Sequence, residues 1–188
     1  SPWDPELLVR ACAERVAPEI GVLARVVDDT GIVKDGAHSP GVKRQYSGTL
    51  GKIGNCQIAV SVHAVGERGT LPLGWSLYLP EEWCDDPERR RKAKIPEAVS
   101  FQTKSRLAGS LVEQAAGFEI PRAPILADSA YGDDTAFRSG LHALGLEYVA
   151  AVRAETSVFG PETRFAVPSR RGDVGRPPRV ERADRRAE

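Results

Sequence analysis

The chain has 188 residues, in which 26 lysines and arginines balance 26 aspartates and glutamates. This length suits one globular domain with a real core, and the balanced charge neither marks nor excludes a nucleic-acid or membrane partner. Three widely spaced cysteines without a Cys-x-x-Cys pair argue against a disulfide framework and a zinc knuckle, and favour a reducing cytoplasm. No apolar run approaches the roughly 18 residues of a membrane helix, and no signal peptide is recognisable.

The first elements in chain order are a helix and a strand. Apolar residues at helical spacing, among them Leu7, Leu8 and Val16, predict a packing helix. The short valine-rich run Val22 to Val27 then predicts a buried strand. This interpretation places Asp28 at the C-terminal end of the strand.

Two alternating segments follow and predict an antiparallel hairpin. From Asn55 to Ala64 every second residue is apolar and faces one side. The run from Leu73 to Leu79 repeats the pattern, which puts Trp75 and Leu77 on the same face as Leu73.

The second half of the chain alternates helices and strands. Thr103 is a candidate cap for a helix with one apolar stripe, and Ala123 to Ala127 predicts a short buried strand that ends at Asp128. A further helix over Phe137 to Leu144 and a last strand over Leu146 to Val152 complete the series.

This order predicts an α/β fold with a mixed sheet. A three-strand antiparallel meander is followed by a helix-strand-helix-strand unit with right-handed crossovers and parallel strands. We expect a helical lead-in over residues 1–20 and the core over residues 21–153. Residues 154–188 are rich in Arg, Pro and Gly without an apolar face, so we expect them to be disordered.

Two acidic clusters each end an apolar run. Asp28 and Asp29 follow the first strand, and Asp128 follows the strand of the second half. Strand ends at one edge of a sheet bring such carboxylates together, and paired oxygen ligands suit Mg²⁺ or Mn²⁺ in phosphoryl transfer. Taken singly, each cluster is equally typical of an ordinary turn or a helix cap.

Five blocks of sequence carry a family resemblance. They are Asp28-Asp29-Thr30-Gly31, Gly41-Val42-Lys43-Arg44-Gln45-Tyr46-Ser47-Gly48, Leu50-Gly51-Lys52-Ile53-Gly54-Asn55, Leu79-Pro80-Glu81-Glu82-Trp83 and Ala127-Asp128-Ser129-Ala130-Tyr131-Gly132. In this order and spacing they resemble DDE-superfamily insertion-sequence transposases over about Ser1 to Val152. The resemblance implies a ribonuclease-H-like fold and Mg²⁺-dependent cutting and joining of DNA. The implied partners are terminal inverted repeats, target DNA and a second copy of the chain, in a bacterial cytoplasm and on the nucleoid when bound to DNA.

The resemblance also assigns residues of the catalytic centre. Its first two catalytic acids and metal ligands fall on Asp28 and Asp128, with Asp29 the weaker candidate. The family's third acid is a Glu on a helix after the last core strand, a context that neither Glu155 nor Glu162 has. The missing acid and the absence of any methionine predict a fragment that is incomplete at its C-terminus and inactive by itself.

Basic residues in a long connection are candidates for DNA contacts. The segment from Lys34 to Gly54 is unusually long for a connection, so it is either functional or a sign that the strand assignment is in error. Lys43, Arg44 and Lys52 within it could grip phosphates, although a solvated flexible loop explains them as well. The resemblance adds Lys104 as a phosphate contact.

Two other functions compete with a transposase catalytic domain. The same fold could be a non-catalytic remnant that binds DNA or a protein, which the missing third acid favours. A metal-dependent phosphohydrolase of small molecules is the weaker alternative, because Asp28 and Asp29 are adjacent and do not form an Asp-x-Asp pair.

Overall fold

The computed structural model describes residues 4–160, 162–167 and 182–183. The helices are α1 (Pro5–Ile20), α2 (Glu81–Cys84), α3 (Pro87–Lys92), α4 (Lys104–Ala116), α5 (Ser129–Gly132) and α6 (Thr135–Ala143). The strands are β1 (Val22–Val33), β2 (Lys43–Ser47), β3 (Lys52–Gly66), β4 (Gly69–Tyr78), β5 (Ile125–Ala127), β6 (Tyr148–Ala150), β7 (Phe165–Ala166) and β8 (Arg182–Ala183).

A mixed sheet of six strands, β1 to β6, organises the first of two compact units, Ser1–Arg153. The long strand β3 pairs antiparallel with β1 along one edge, and with β2 and then β4 along the other. β5 lies parallel to β1, and β6 lies parallel to β5. The predicted α/β class and mixed sheet are confirmed, and the strand order is compatible with a ribonuclease-H-like fold.

The hairpin β3–β4 is confirmed, but one of its predicted faces is wrong. The alternating residues of β3 from Cys56 to Ala64 are all buried. In β4 the register shifts at Leu73, because Val62 pairs with Gly74 whereas His63 pairs with Pro72. This extra residue changes the phase of the alternation. Trp75 and Leu77 are therefore exposed instead of buried with Leu73.

Two helices bury their apolar faces against the sheet. The hydroxyl of Thr103 accepts a hydrogen bond from the N–H of Arg106 at 3.2 Å, so the predicted cap of α4 is confirmed. Helix α1 packs through Ala13, Ala17 and Ile20, which belong to the main core cluster. The predicted helix is confirmed and Val16 packs against the core, but Leu7 and Leu8 are exposed, because the buried residues lie in the C-terminal half of the helix.

Arg25 interrupts the apolar run of β1, yet it is 2% exposed. Its guanidinium donates to the carbonyl oxygens of Ala115 at 3.4 Å and Pro121 at 3.2 Å. These carbonyls lie at and beyond the end of α4, where helical carbonyls have no intrahelical partner. Burial lowers the pKa of Arg25, and the neighbouring Arg122 lowers it further.

Three strand boundaries differ from the predictions. β1 continues to Val33, so Asp28 lies within the strand and not at its end, since β3 pairs with the whole of β1. The long connection contains β2, so much of its length was an unrecognised strand. The last predicted strand shortens to Tyr148–Ala150, the three residues that pair with β5.

The second compact unit is Ala154–Glu188. Its composition predicted no regular element, whereas Phe165–Ala166 and Arg182–Ala183 form an antiparallel pair of short strands. Most of the segment predicted to be disordered, including residues 168–181 and 184–188, lies outside the described residues. The predicted domain boundaries stay a prediction. Among the described residues, every helix is too short or too polar to cross a membrane.

Candidate active site

The parallel pairing of β1 with β5 sets the two acidic clusters side by side. Val27 is the register partner of Ala127. Asp28 follows Val27 within β1, and Asp128 directly follows the end of β5. Asp128 keeps an extended backbone, with φ −79° and ψ −178°. Adjacent strands lie about 4.8 Å apart, so the register places Asp28 and Asp128 at neighbouring positions, and both residues are exposed.

The backbone holds one oxygen of each carboxylate. Oδ1 of Asp28 accepts the N–H of Asp29 at 2.7 Å. Oδ1 of Asp128 accepts the N–H of Ala130 at 3.0 Å and so caps the short helix α5. In the described part of the chain these contacts use only Oδ1 of each carboxylate, which leaves both Oδ2 atoms able to meet a cation.

Asp29 has a different environment from its neighbour Asp28. Successive residues of a strand point to opposite faces, and Asp29 lies on the face that packs against α4. There its Oδ2 accepts a hydrogen bond from the ammonium group of Lys104 at 2.7 Å, with the Asp29 side chain 16% exposed and that of Lys104 32% exposed. The ion pair joins the first turn of α4 to β1 and neutralises Asp29.

Tyr131 lies in α5, the short helix that Asp128 caps, and sequence reasoning gave it no role. It is 1% exposed, and its ring packs at 5.8 Å from that of Phe137. Its hydroxyl makes no hydrogen bond within the described part of the protein. Burial raises the pKa of Tyr131, and the carboxylates of Asp29, Asp28 and Asp128 raise it further. The signal available in the sequence was a tyrosine one helical turn after a strand-end aspartate.

Two glycines of the acidic motifs allow close backbone approach. A Cβ on Gly31 would lie 1.8 Å from the Oγ of Ser47 on β2. A Cβ on Gly132 would lie 1.9 Å from the carbonyl oxygen of Ala151. These glycines therefore have a steric function in holding β2 and the segment after β6 against the acidic strands.

The donor set fits a hard divalent cation that completes its shell from elsewhere. Mg²⁺ is bound through one or two carboxylates together with waters and substrate phosphates, and Asp28 and Asp128 provide two such carboxylates. Among the residues that the structure describes, no three or more His, Cys, Asp or Glu side chains are grouped to hold a metal by themselves. The arrangement is suited to a metal that substrate phosphate helps to bind.

The structure places the predicted DNA contacts at two separate positions. Lys43 and Arg44 lie on β2, and Lys52 begins β3 opposite the end of β2. Lys43 pairs with Glu82 at 2.8 Å, and this pair raises the pKa of Lys43 through its hydrogen bond and its charge. Arg44 and Lys52 are exposed. Lys104 lies apart from them, in its pair with Asp29.

The motif around Trp83 has a structural function. Trp83 is fully buried, and its indole N–H donates to the carbonyl of Val42 at 2.8 Å. The guanidinium of Arg89 lies 3.6 Å from the centre of the indole ring, a cation–π contact. Trp83, Val42 and Leu79 form a second small core beside the start of β2.

The chain is similar in sequence to known proteins. The model of a family described as DDE superfamily endonuclease matches residues 1–188. A protein of Microchaete diplosiphon, described as a probable transposase for insertion sequence element IS701, is 33% identical over 159 residues. The match covers 82% of this chain but 38% of that relative, so the chain spans less than half the length of the curated relative. No solved structure matches the chain.

Proposed function

The chain belongs to the DDE superfamily of insertion-sequence transposases, and on that premise we propose that it forms part of a catalytic domain that cuts DNA and joins its strands. The substrate would be the terminal inverted repeats of a transposon and a target DNA. The observation that carries the proposal is the β1–β5 register, which sets Asp28 beside Asp128.

Asp28 and Asp128 are the proposed metal ligands. Each accepts a backbone N–H through Oδ1, which leaves its Oδ2 for a cation. When bound, Mg²⁺ or Mn²⁺ supplies charge neutralisation and an activated oxygen nucleophile for in-line phosphoryl transfer. Asp29 is the weaker candidate for this role, because its Oδ2 is paired with the ammonium group of Lys104.

The third acid of the family has no counterpart in the described residues. After β6 the regular elements described are the strands β7 and β8, and no helix there presents a Glu beside Asp28 and Asp128. Glu155 and Glu162 lie in turns. With two proposed acids and no third identified among the described residues, we expect the 188-residue polypeptide by itself to bind metal weakly and to lack nuclease activity.

Arg44 and Lys52 are the proposed contacts with DNA phosphates. Arg44 is exposed near the start of β2, and Lys52 is exposed at the start of β3. Each phosphate contact releases about 0.9 counterion, so each adds about that amount to the slope of log Kd against log salt. Lys43 and Lys104 are held by Glu82 and Asp29, and would reach phosphate only by exchanging these partners.

Metal binding tests the acidic pair directly. We expect the wild-type chain to bind Mn²⁺, followed by electron paramagnetic resonance of free Mn²⁺, and Asp28→Asn and Asp128→Asn each to weaken binding at least tenfold. Glu113→Gln, which removes one exposed charge from α4, is the matched control and should bind like wild type. Equal Mn²⁺ affinity in all four proteins would refute the assignment of the pair.

DNA binding and cleavage test the rest of the proposal. Gel-shift titration against duplex DNA should show weaker binding and a smaller salt slope for Arg44→Ala and Lys52→Ala. Incubation with Mg²⁺ should leave terminal-repeat DNA intact. Metal-dependent nicking that disappears in Asp28→Asn would contradict the expected inactivity while supporting the metal site. Unchanged salt slopes in both basic variants would refute these DNA contacts.

A further inference from the structure

The hydroxyl of Tyr131 is a buried donor without a partner among the described residues. Buried polar groups in proteins are nearly always hydrogen-bonded, and each exception requires an explanation. Phenylalanine would fill the same space without an unsatisfied polar atom. The position therefore has a feature that packing alone does not explain.

Tyr131 lies in the short helix α5, which Asp128 caps. Its own N–H donates to the carbonyl of Asp128 at 3.2 Å, one turn earlier in the chain. The ring is fixed by burial and by the contact with Phe137. The carboxylates of Asp29, Asp28 and Asp128 raise the pKa of the hydroxyl. From α4, Lys104 donates a hydrogen bond to Asp29.

We infer that Tyr131 is a positioning residue of the acidic site, whose hydroxyl donates a hydrogen bond to a carboxylate oxygen of Asp28, Asp29 or Asp128 when a divalent cation is bound. This inference rests on the proposed metal site. A cation drawn between Asp28 and Asp128 rearranges these carboxylates, and a rigid donor on their buried side fixes the new positions. The hydroxyl, which has no partner in the metal-free protein, then donates its hydrogen bond in the metal-bound protein.

The variant Tyr131→Phe separates this role from packing, because it removes only the hydroxyl. Without metal, we expect its melting temperature to equal or exceed that of wild type, since an unpartnered buried group is removed. With Mn²⁺, we expect its dissociation constant to rise about fivefold or more. A residue needed only for packing would show no change in Mn²⁺ affinity.

Two further variants make the outcome decisive. Tyr148→Phe removes the hydroxyl of a tyrosine that lies on β6 and is 37% exposed, and should change neither measurement. Asp28→Asn reports on the metal site itself. If Asp28→Asn weakens Mn²⁺ binding while Tyr131→Phe stays within twofold of wild type, the inference is overturned and the metal site stands. If neither variant changes Mn²⁺ binding, the metal site falls together with the inference.

Discussion

Gly132 offers the sharpest test of how the acidic site is held. It follows Tyr131 in the short helix that Asp128 caps, and it is buried. In Gly132→Ala the new methyl carbon would lie 1.9 Å from the carbonyl oxygen of Ala151 and 3.1 Å from the Cβ of Ala150. Both contacts are with the segment at and after β6, so the substitution presses that segment away from the acidic turn.

The expected loss of stability follows from what must move. Real Cβ atoms are essentially never found closer than 3.0 Å to such an atom, so the two backbones must separate by about 1 Å. The N–H of Ala151 donates to the carbonyl of Ala127 at 3.0 Å, and this bond weakens as the segment moves. Overpacking costs about 1–3 kcal/mol and a lost hydrogen bond about 1 kcal/mol, which together give a loss of about 2–4 kcal/mol.

Thermal and urea unfolding followed by circular dichroism would measure this loss. For a chain of this size, about 1 kcal/mol corresponds to roughly 2–4 °C, so we expect Gly132→Ala to lower Tm by about 5–15 °C. Gly109→Ala is the matched control: Gly109 lies within α4, and a Cβ there meets nothing within 4 Å. That variant should gain about 0.5–1 kcal/mol from helix propensity. Stability of Gly132→Ala within 0.5 kcal/mol of wild type, on the order of experimental additivity error, would refute the argument.

Two other predictions concern the sheet. Gly31→Ala should destabilise the protein because its Cβ would lie 1.8 Å from the Oγ and 2.7 Å from the Cβ of Ser47. Adding Ser47→Gly should restore part of the lost stability, as measured by a double-mutant cycle in urea unfolding. If the stability changes of the two substitutions add within about 0.5 kcal/mol, the contact between Gly31 and Ser47 is contradicted. Burial lowers the pKa of His63 in the folded protein. As the pH drops below about 6.5, the unfolded chain therefore binds a proton at His63 before the folded protein does, and the free energy of unfolding decreases. His63→Gln should reduce this fall between pH 7.5 and 5.5 in urea unfolding, whereas the exposed His142→Gln should follow wild type, and identical pH profiles would count against the assignment.

Local sequence patterns predicted the features that depend on residues near each other in the chain. Thr103 caps α4 because a side-chain oxygen next to a helical stripe has a backbone N–H within reach. The alternation in β3 appears because successive side chains of a strand point to opposite faces, and the face from Cys56 to Ala64 is buried. The two acidic positions were found for the same reason, since each directly follows a recognisable apolar run.

Patterns failed where a distant part of the chain decided the outcome. Trp75 is exposed because an extra residue in β4 changes the phase against β3, and periodicity within one strand does not show a bulge. Leu7 and Leu8 are exposed because α1 packs through its other end. The end of β1 was misplaced because pairing with β3 extends the strand through Asp28.

The sequence by itself determined the α/β class, the order of the main elements and two acidic clusters whose motifs mark the transposase family. Only the tertiary structure decided what surrounds each of the two adjacent carboxylates. Asp28 lies beside Asp128, while Asp29 faces α4 and pairs with Lys104. The side chains of a strand alternate between two faces whatever surrounds the strand. Which face becomes covered depends on the register with a strand about a hundred residues away. The covered face in turn decides which hydrogen-bond donors each carboxylate meets.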